Sequence, residues 1–266
     1  MPTFKNGDIC LYYEEQGSGE PLILLHGLTM NHLHFSVDMA RLRRHFRVIA
    51  MDARGHGKSD KPDAYTIDDH IGDVLALMDH IGLEKTDLLG VSMGSYIAQG
   101  VAIRAPERVD RLILVSTKSH GTTSSSQALF ERHAEELEGM DFREKMNAAS
   151  KYMFRNLMEV VDIMQNEDLN VPLTREQQKA ANEALNGFDF RPGLGKVRAK
   201  TLVIAGSHDG LNPPEAGRET AALIPDAVFM EFRESGHLPN IEEPRLFYSV
   251  VKEFLDDDGG NPPQGW

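Results

Sequence analysis

The sequence predicts an α/β fold: a mainly parallel sheet with helices on both faces and a helical insertion in the second half of the chain. Three observations carry this reading. Short, unbroken apolar runs recur along the chain, as in strands buried on both faces. Between most of them lie stretches whose apolar residues repeat three and four apart. Strands that alternate with helices pack as a parallel sheet, because each helical crossover returns the chain to the same edge of the sheet.

The elements follow in order. Asn6-Gly7 is a two-residue turn signal ahead of "DICLYYEE", so the chain opens as a hairpin that adds an antiparallel edge. "GSGE" then turns it into "PLILLHG", the first of the unbroken apolar runs. Further strands are predicted at "FRVIAMD" (46–52), "TDLLGVS" (86–92), "RLILVST" (111–117), "KTLVIAG" (200–206) and "AVFMEF" (227–232). Across 67–82, Ile67, Ile71, Val74, Leu75, Met78 and Ile81 share one helical face, with Thr66 as N-cap and Gly82 just past the end. "MGSYIAQGVAIRAP", "NPPEAGRETAALIP" and "PRLFYSVVKEFLDD" supply three more helices.

Residues 118–198 break the alternation, with no convincing strand. Met146, Ala149, Met153, Leu157, Val160 or Val161, and Met164 recur at helical spacing. The expected organisation is therefore a core formed by 1–117 and 199–256, a helical cap over the sheet at 118–198, and a flexible tail at 257–266.

Composition narrows the function classes. Of the 266 residues, 41% are hydrophobic and 26% charged, as in an ordinary globular protein. A formal net charge of −13 argues against a nucleic-acid partner, which needs clustered Lys and Arg. The lone Cys10 excludes an internal disulfide and a multi-cysteine metal site. "MPTFKNGDIC" has neither the basic nor the apolar region of a secretory signal, and no apolar run is long enough to span a bilayer. A cytoplasmic location and no membrane association are expected.

The chemistry is read from three strand ends. "GVSMG" places Ser92 between Gly90 and Gly94, after an apolar run and before a helix-like one. At such a turn a serine nucleophile sits on strained backbone, and the helix N-terminus behind it favours developing negative charge. The motif alone is weak; a Ser N-cap in a Gly-rich turn reads the same way. A serine hydroxyl needs a base. His237, in "SGHLPN", follows the last predicted strand, and Asp209, in "GSHDGLNPP", follows the strand before it. A hydrogen-bonded loop histidine and an Asx-type turn are their bland alternatives. Loops leaving the carboxyl ends of parallel strands meet at one edge of the sheet, so the three can form a nucleophile–base–acid set. Acyl transfer also needs oxyanion donors: the backbone N–H of Met93, after the nucleophile, and that of Leu28, in the loop after His26-Gly27, with Thr29 the weaker choice. His26 is read as a structural residue of that loop.

"LLHGLTMNH", "MDARGHGKSD", "GVSMGSYIAQGVAIRAPERV", "IAGSHDGLNPP" and "SGHLPNIEEP" together resemble successive blocks of the α/β-hydrolase superfamily over nearly the whole chain. The chain is similar to its small single-cap carboxylesterases, lactonases of the 3-oxoadipate enol-lactonase kind, and carbon–carbon bond hydrolases. The resemblance implies a sheet of about eight strands, with Ser92 as nucleophile, Asp209 as acid and His237 as base. Ser92 argues against dehalogenation, for which relatives carry Asp at that position. The glycines of "DARGHGKSD" are read as turn residues and His56 as structural.

The function expected is cleavage of a small carboxylic ester or lactone through an acyl-enzyme. The alternatives are carbon–carbon hydrolysis and ligand sensing with little turnover. Neither a metal nor an organic cofactor is required, and a monomer or homodimer is expected. Met146, Met153 and Leu157 are candidates to line the substrate pocket, against the alternative that the cap methionines pack on one another.

Overall fold

The structure is a computed structural model that describes residues 2–164, 166, 169 and 171–257. Chain order runs β1 (Thr3–Asn6), β2 (Ile9–Gln16), β3 (Pro21–Leu25), α1 (Ser36–Leu42), β4 (Arg47–Met51), α2 (Ile67–His80), β5 (Thr86–Val91), α3 (Met93–Arg104) and β6 (Val109–Val115). Four helices follow without a strand: α4 (Ser125–Arg132), α5 (Phe142–Ala149), α6 (Leu157–Met164) and α7 (Arg175–Glu183). Then come β7 (Lys200–Gly206), α8 (Pro214–Ala222), β8 (Ala227–Phe232), α9 (Pro239–Glu242) and α10 (Pro244–Asp256). The eight strands form one sheet in the order β1-β2-β4-β3-β5-β6-β7-β8. It is parallel from β4 to β8 and antiparallel at β1 and β2.

Period-two alternation divides the strand side chains between two cores. Ile23, Leu25, Ile49, Met51, Leu112 and Leu114 pack with Ile71 and Val74 of α2 and Ile97 and Val101 of α3. Leu22, Leu24, Val48, Ala50, Ile113 and Val115 pack with Met39 and Leu42 of α1 and Phe247 and Val251 of α10. Both faces are covered, which is why the strands read as unbroken apolar runs. The strand order reverses between β3 and β5, so the crevice at their carboxyl ends is where such a sheet binds ligands.

Local signals set most boundaries. Thr66 caps α2 in a reciprocal box: its hydroxyl accepts from the Asp69 N–H (3.2 Å), and the Asp69 carboxylate accepts from the Thr66 N–H (2.8 Å). Thr66→Ala is expected to cost about 1 kcal/mol, measured by urea denaturation; an unchanged midpoint would show that α2 does not depend on this cap.

Three expectations shift, and two short helices were not foreseen. Asn6 pairs with Ile9, so the hairpin turn is Gly7-Asp8, one residue later than predicted, with Gly7 at φ 59° in the position where two-residue hairpins favour glycine. β6 stops at Val115 because Ser116 takes φ 50°. α1 and α9, of seven and four residues, are too short to show periodicity in the sequence. The apolar face through 146–164 is not one helix: α5 gives way to a 3₁₀ turn at Ser150–Tyr152, and α6 begins only at Leu157. The proposed tail lies, apart from Asp257, outside the described residues.

Candidate active site

Ser92 follows the last residue of β5 and precedes the first of α3, with φ 52° and ψ −117°. A non-glycine residue in this region stores about 1–3 kcal/mol of strain, which the surroundings must impose. Here they do: the Ser92 N–H donates to the Val115 carbonyl (2.9 Å), and the Ser92 carbonyl accepts from the Ser95 and Tyr96 N–H groups (2.8 and 3.3 Å). The flanking glycines allow the approach. A Cβ on Gly94 would lie 1.9 Å from the Leu25 carbonyl oxygen, and one on Gly90 2.2 Å from that of Gly94. The Ser92 hydroxyl makes no capping bond to α3, contrary to the bland reading of the motif.

That hydroxyl instead lies 3.0 Å from His237 Nε2, and His237 Nδ1 lies 2.8 Å from Asp209 Oδ2. A carboxylate only accepts, so Nδ1 carries the proton and the Nε2 lone pair faces Ser92. Asp209 and His237 are both buried. The second carboxylate oxygen, Oδ1, accepts from the Leu211 and Asn212 N–H groups (both 2.9 Å), so Asp209 shapes its own turn while orienting the imidazole.

A buried polar layer supports these three residues. The Ser116 hydroxyl donates to the His237 carbonyl (2.8 Å). Asn212 Nδ2 donates to the Ser116 carbonyl (2.7 Å) and to Tyr96 Oη (2.6 Å), and its Oδ1 accepts from the Ser125 hydroxyl (2.6 Å). Burial pushes the Tyr96 phenol up to about 12, so it stays neutral in this layer. Ser116, Asn212, Tyr96 and Glu242, whose carboxylate bonds the main chain on both sides of His237, went unnoticed in the sequence. None stands in a motif, and no local pattern says which Ser, Asn, Tyr or Glu turns inward.

Of the two expected oxyanion donors, Met93 is the first residue of α3, where an amide has no intrahelical acceptor. The Leu28 amide likewise has no internal acceptor among the described residues. The loop carrying it lies against the elbow: a Cβ on Gly27 would be 3.5 Å from that of Ser92. Thr29, the weaker choice, sits at φ 64°. His26 pins this loop. Its Nε2 accepts from the Ala53 N–H (3.0 Å), so Nδ1–H donates to the Gly27 carbonyl (2.8 Å). Burial lowers its pKa to about 4 and keeps it neutral. Leu28 packs against Tyr65 and Ala180, Ala181 and Ala184, so α7 and the residue after it lie over the loop. Met153 and Met146 join Leu129, Leu137 and Ala149 in a separate cluster, and Leu157 is half-buried in the first turn of α6.

Among the described residues no group of three or more His, Cys, Asp or Glu side chains could hold a metal ion. No described helix is long and apolar enough to cross a membrane.

Residues 20–153 and 163–244 match a family described as the alpha/beta hydrolase fold. The chain is 29% identical over 261 residues to a 3-oxoadipate enol-lactonase 2 of Acinetobacter baylyi, covering 95% of this chain and 96% of that protein. It is also 29% identical over 267 residues to a 2-hydroxy-6-oxo-6-phenylhexa-2,4-dienoate hydrolase of Burkholderia cepacia, covering 92% and 91% respectively. The crystal structure of an enol-lactonase from Burkholderia xenovorans LB400 is similar over 96% of this chain and 100% of that one, with a TM-score of 0.83 and 29% identity.

Proposed function

The chain belongs to the α/β hydrolase fold family, and we propose that within it the protein is a serine hydrolase of small carboxylic esters or lactones. The observation that carries this is the unbroken relay from Ser92 Oγ through His237 to Asp209, at 3.0 and 2.8 Å. The serine in it is held in the left-handed backbone region at a strand–helix junction. A strained serine that caps nothing and donates to a carboxylate-oriented imidazole is arranged for nucleophilic attack.

In this mechanism His237 takes the Ser92 proton as Oγ bonds to the substrate carbonyl carbon. The Leu28 and Met93 N–H groups stabilise the oxyanion; such a donor is worth about 2.7–4 kcal/mol when deleted. His237 then protonates the leaving alkoxide. It next takes a proton from water, whose oxygen attacks the acyl-enzyme, and returns that proton to Ser92 Oγ as the acyl–Oγ bond breaks and the acid leaves. Asp209 holds Nδ1–H throughout and stabilises the imidazolium. Residues 1–117 and 199–256 form the catalytic core in this reading. Residues 118–198 form a cap over the Leu28 loop; Met146 and Met153 pack within the cap, and Leu157 is the remaining pocket candidate. The reaction needs no cofactor.

Turnover of a p-nitrophenyl ester series from acetate to octanoate, beside simple γ- and δ-lactones, tests the reading. Hydrolysis of at least one class is expected, and the chain-length optimum sizes the pocket. The likeness to a dienoate hydrolase supports a second reading, carbon–carbon cleavage on the same triad, so a 2-hydroxy-6-oxo-dienoate belongs in the panel. Turnover of the dienoate alone would replace the ester reading with this one. No turnover of any member would leave ligand sensing as the better account.

A further inference from the structure

Glu242 is buried, and among the described residues no cation pairs with it. Its carboxylate is held by four main-chain amides. Oε1 accepts from the N–H groups of Gly236 (3.0 Å) and Leu238 (3.2 Å), the residues on either side of His237. Oε2 accepts from those of Arg155 (2.7 Å) and Asn156 (2.9 Å), in the break that interrupts the apolar helical face of the cap. One side chain thus joins the base loop to the cap.

The same break holds both catalytic loops. The His237 N–H donates to the Met153 carbonyl (2.7 Å), and the Gly210 N–H, next to Asp209, donates to the Tyr152 carbonyl (2.8 Å). The approach leaves no room for side chains. A Cβ on Gly236 would lie 2.2 Å from the Met153 carbonyl oxygen, and one on Gly210 2.2 Å from that of Tyr152. Val160 of α6 and Leu238 share a buried apolar cluster, which presses this part of the cap onto the base loop.

We propose that Glu242 is a positioning residue for His237, and that the Asp209–His237 pairing depends on segment 152–156 being docked through it. The inference rests on the serine-hydrolase reading of the site. Glu242 touches none of the reacting atoms; it acts through the backbone on either side of the base. A nucleophile, base and acid must be held to fractions of an ångström, and misplacement by about 1 Å can cost about 10²-fold in rate. Cap and catalytic machinery are on this view one mechanical unit, with the base aligned only when the cap is seated.

Glu242→Gln keeps the shape but places an NH₂ group against two N–H donors. Turnover of p-nitrophenyl acetate is expected to show kcat lowered by about 10–100-fold with KM within about threefold. Glu242→Asp, which keeps both acceptor oxygens, is expected to fall between Gln and wild type. Glu243→Gln is the control: Glu243 accepts from the Ser235 hydroxyl (2.6 Å) and the Glu234 N–H (3.2 Å) on the same loop and should leave kcat within about twofold. A merely structural role predicts that Glu242→Gln lowers the melting temperature but leaves kcat unchanged below it, and that result overturns the proposal. So does an equal loss of kcat in Glu243→Gln. Should Glu242→Gln fail to fold, Asn156→Pro removes one amide donor from the cap side, with a long side-chain bond to the Glu234 carbonyl (3.5 Å), and changes no residue of the base loop. A several-fold loss of kcat there supports the coupling, and wild-type kcat in both Asn156→Pro and Glu242→Asp overturns it. Wild-type protein inactive on every ester would instead fail the serine-hydrolase reading itself.

Discussion

Ser92→Ala is expected to lower kcat/KM for ester hydrolysis by a factor of ~10³ or more, equivalent to at least about 4 kcal/mol of transition-state stabilisation. The substitution removes the atom that bonds to the substrate carbonyl and leaves the oxyanion donors and the binding surface in place, so a residual rate above that of water is expected. The fold should tolerate it. The Ser92 side chain makes no capping bond to α3, and the elbow is held by main-chain bonds to Val115, Ser95 and Tyr96 that alanine keeps. Alanine must still occupy φ 52°, so a small drop in melting temperature can accompany the kinetic loss without accounting for it. Steady-state kinetics on the best ester, with far-ultraviolet circular dichroism as the folding control, checks this. Activity within tenfold of wild type would remove Ser92 from the mechanism.

Asp209→Asn is expected to cost ~10³–10⁴ in kcat, through the tautomer of His237 rather than through the loop. The asparagine carbonyl oxygen can still accept from the Leu211 and Asn212 amides, as Oδ1 of Asp209 does at 2.9 Å, so the turn is preserved. Its NH₂ group then faces His237 Nδ1, which must accept where it formerly donated at 2.8 Å. The ring proton moves to Nε2, which now points a hydrogen at Ser92 Oγ where a lone pair was needed. The Nε2 lone pair that took the serine proton is lost, and so is the carboxylate that stabilised the imidazolium. Asp209→Ala should be at least as slow and less stable, because the two turn amides lose their acceptor as well. Comparing the two variants by kcat and by urea midpoint separates orientation of the base from support of the loop. A kcat for Asp209→Asn within tenfold of wild type would show that another group orients His237.

The elbow was legible because its signals are local. An apolar run, two glycines flanking a serine and a helix-like stretch lie within a dozen residues, and each has its own backbone preference. Asp209 and His237 were singled out by a rule of position, and the structure brings them within 2.8 Å of each other: both follow predicted strands, and parallel strands bring their following loops to one edge. Residues whose role depends on facing inward were not legible. "IEEP" presents two adjacent glutamates, and nothing in it says that Glu242 is buried among four amides while Glu243 binds Ser235 and Glu234 at the loop surface. The apolar spacing through Met146–Met164 reads as a continuous helical face. The backbone at 152–156 leaves the helix because its carbonyls and amides are committed to Gly210, His237 and Glu242.

By itself the sequence determined the order and type of the larger elements, the two-faced burial of the strands and the strand ends that carry Ser92, Asp209 and His237. These depend on backbone preference and hydrophobic period, which act over a few residues. Tertiary structure alone decided that Ser92 meets His237 across 145 positions of sequence, that Asn212 and Ser116 brace the His237 loop, and that Glu242 reaches Arg155 across 87. A hydrogen bond between distant residues forms only after the chain has closed the loops between them. Its partners are therefore set by how the whole sheet and cap pack, which no short window of sequence contains.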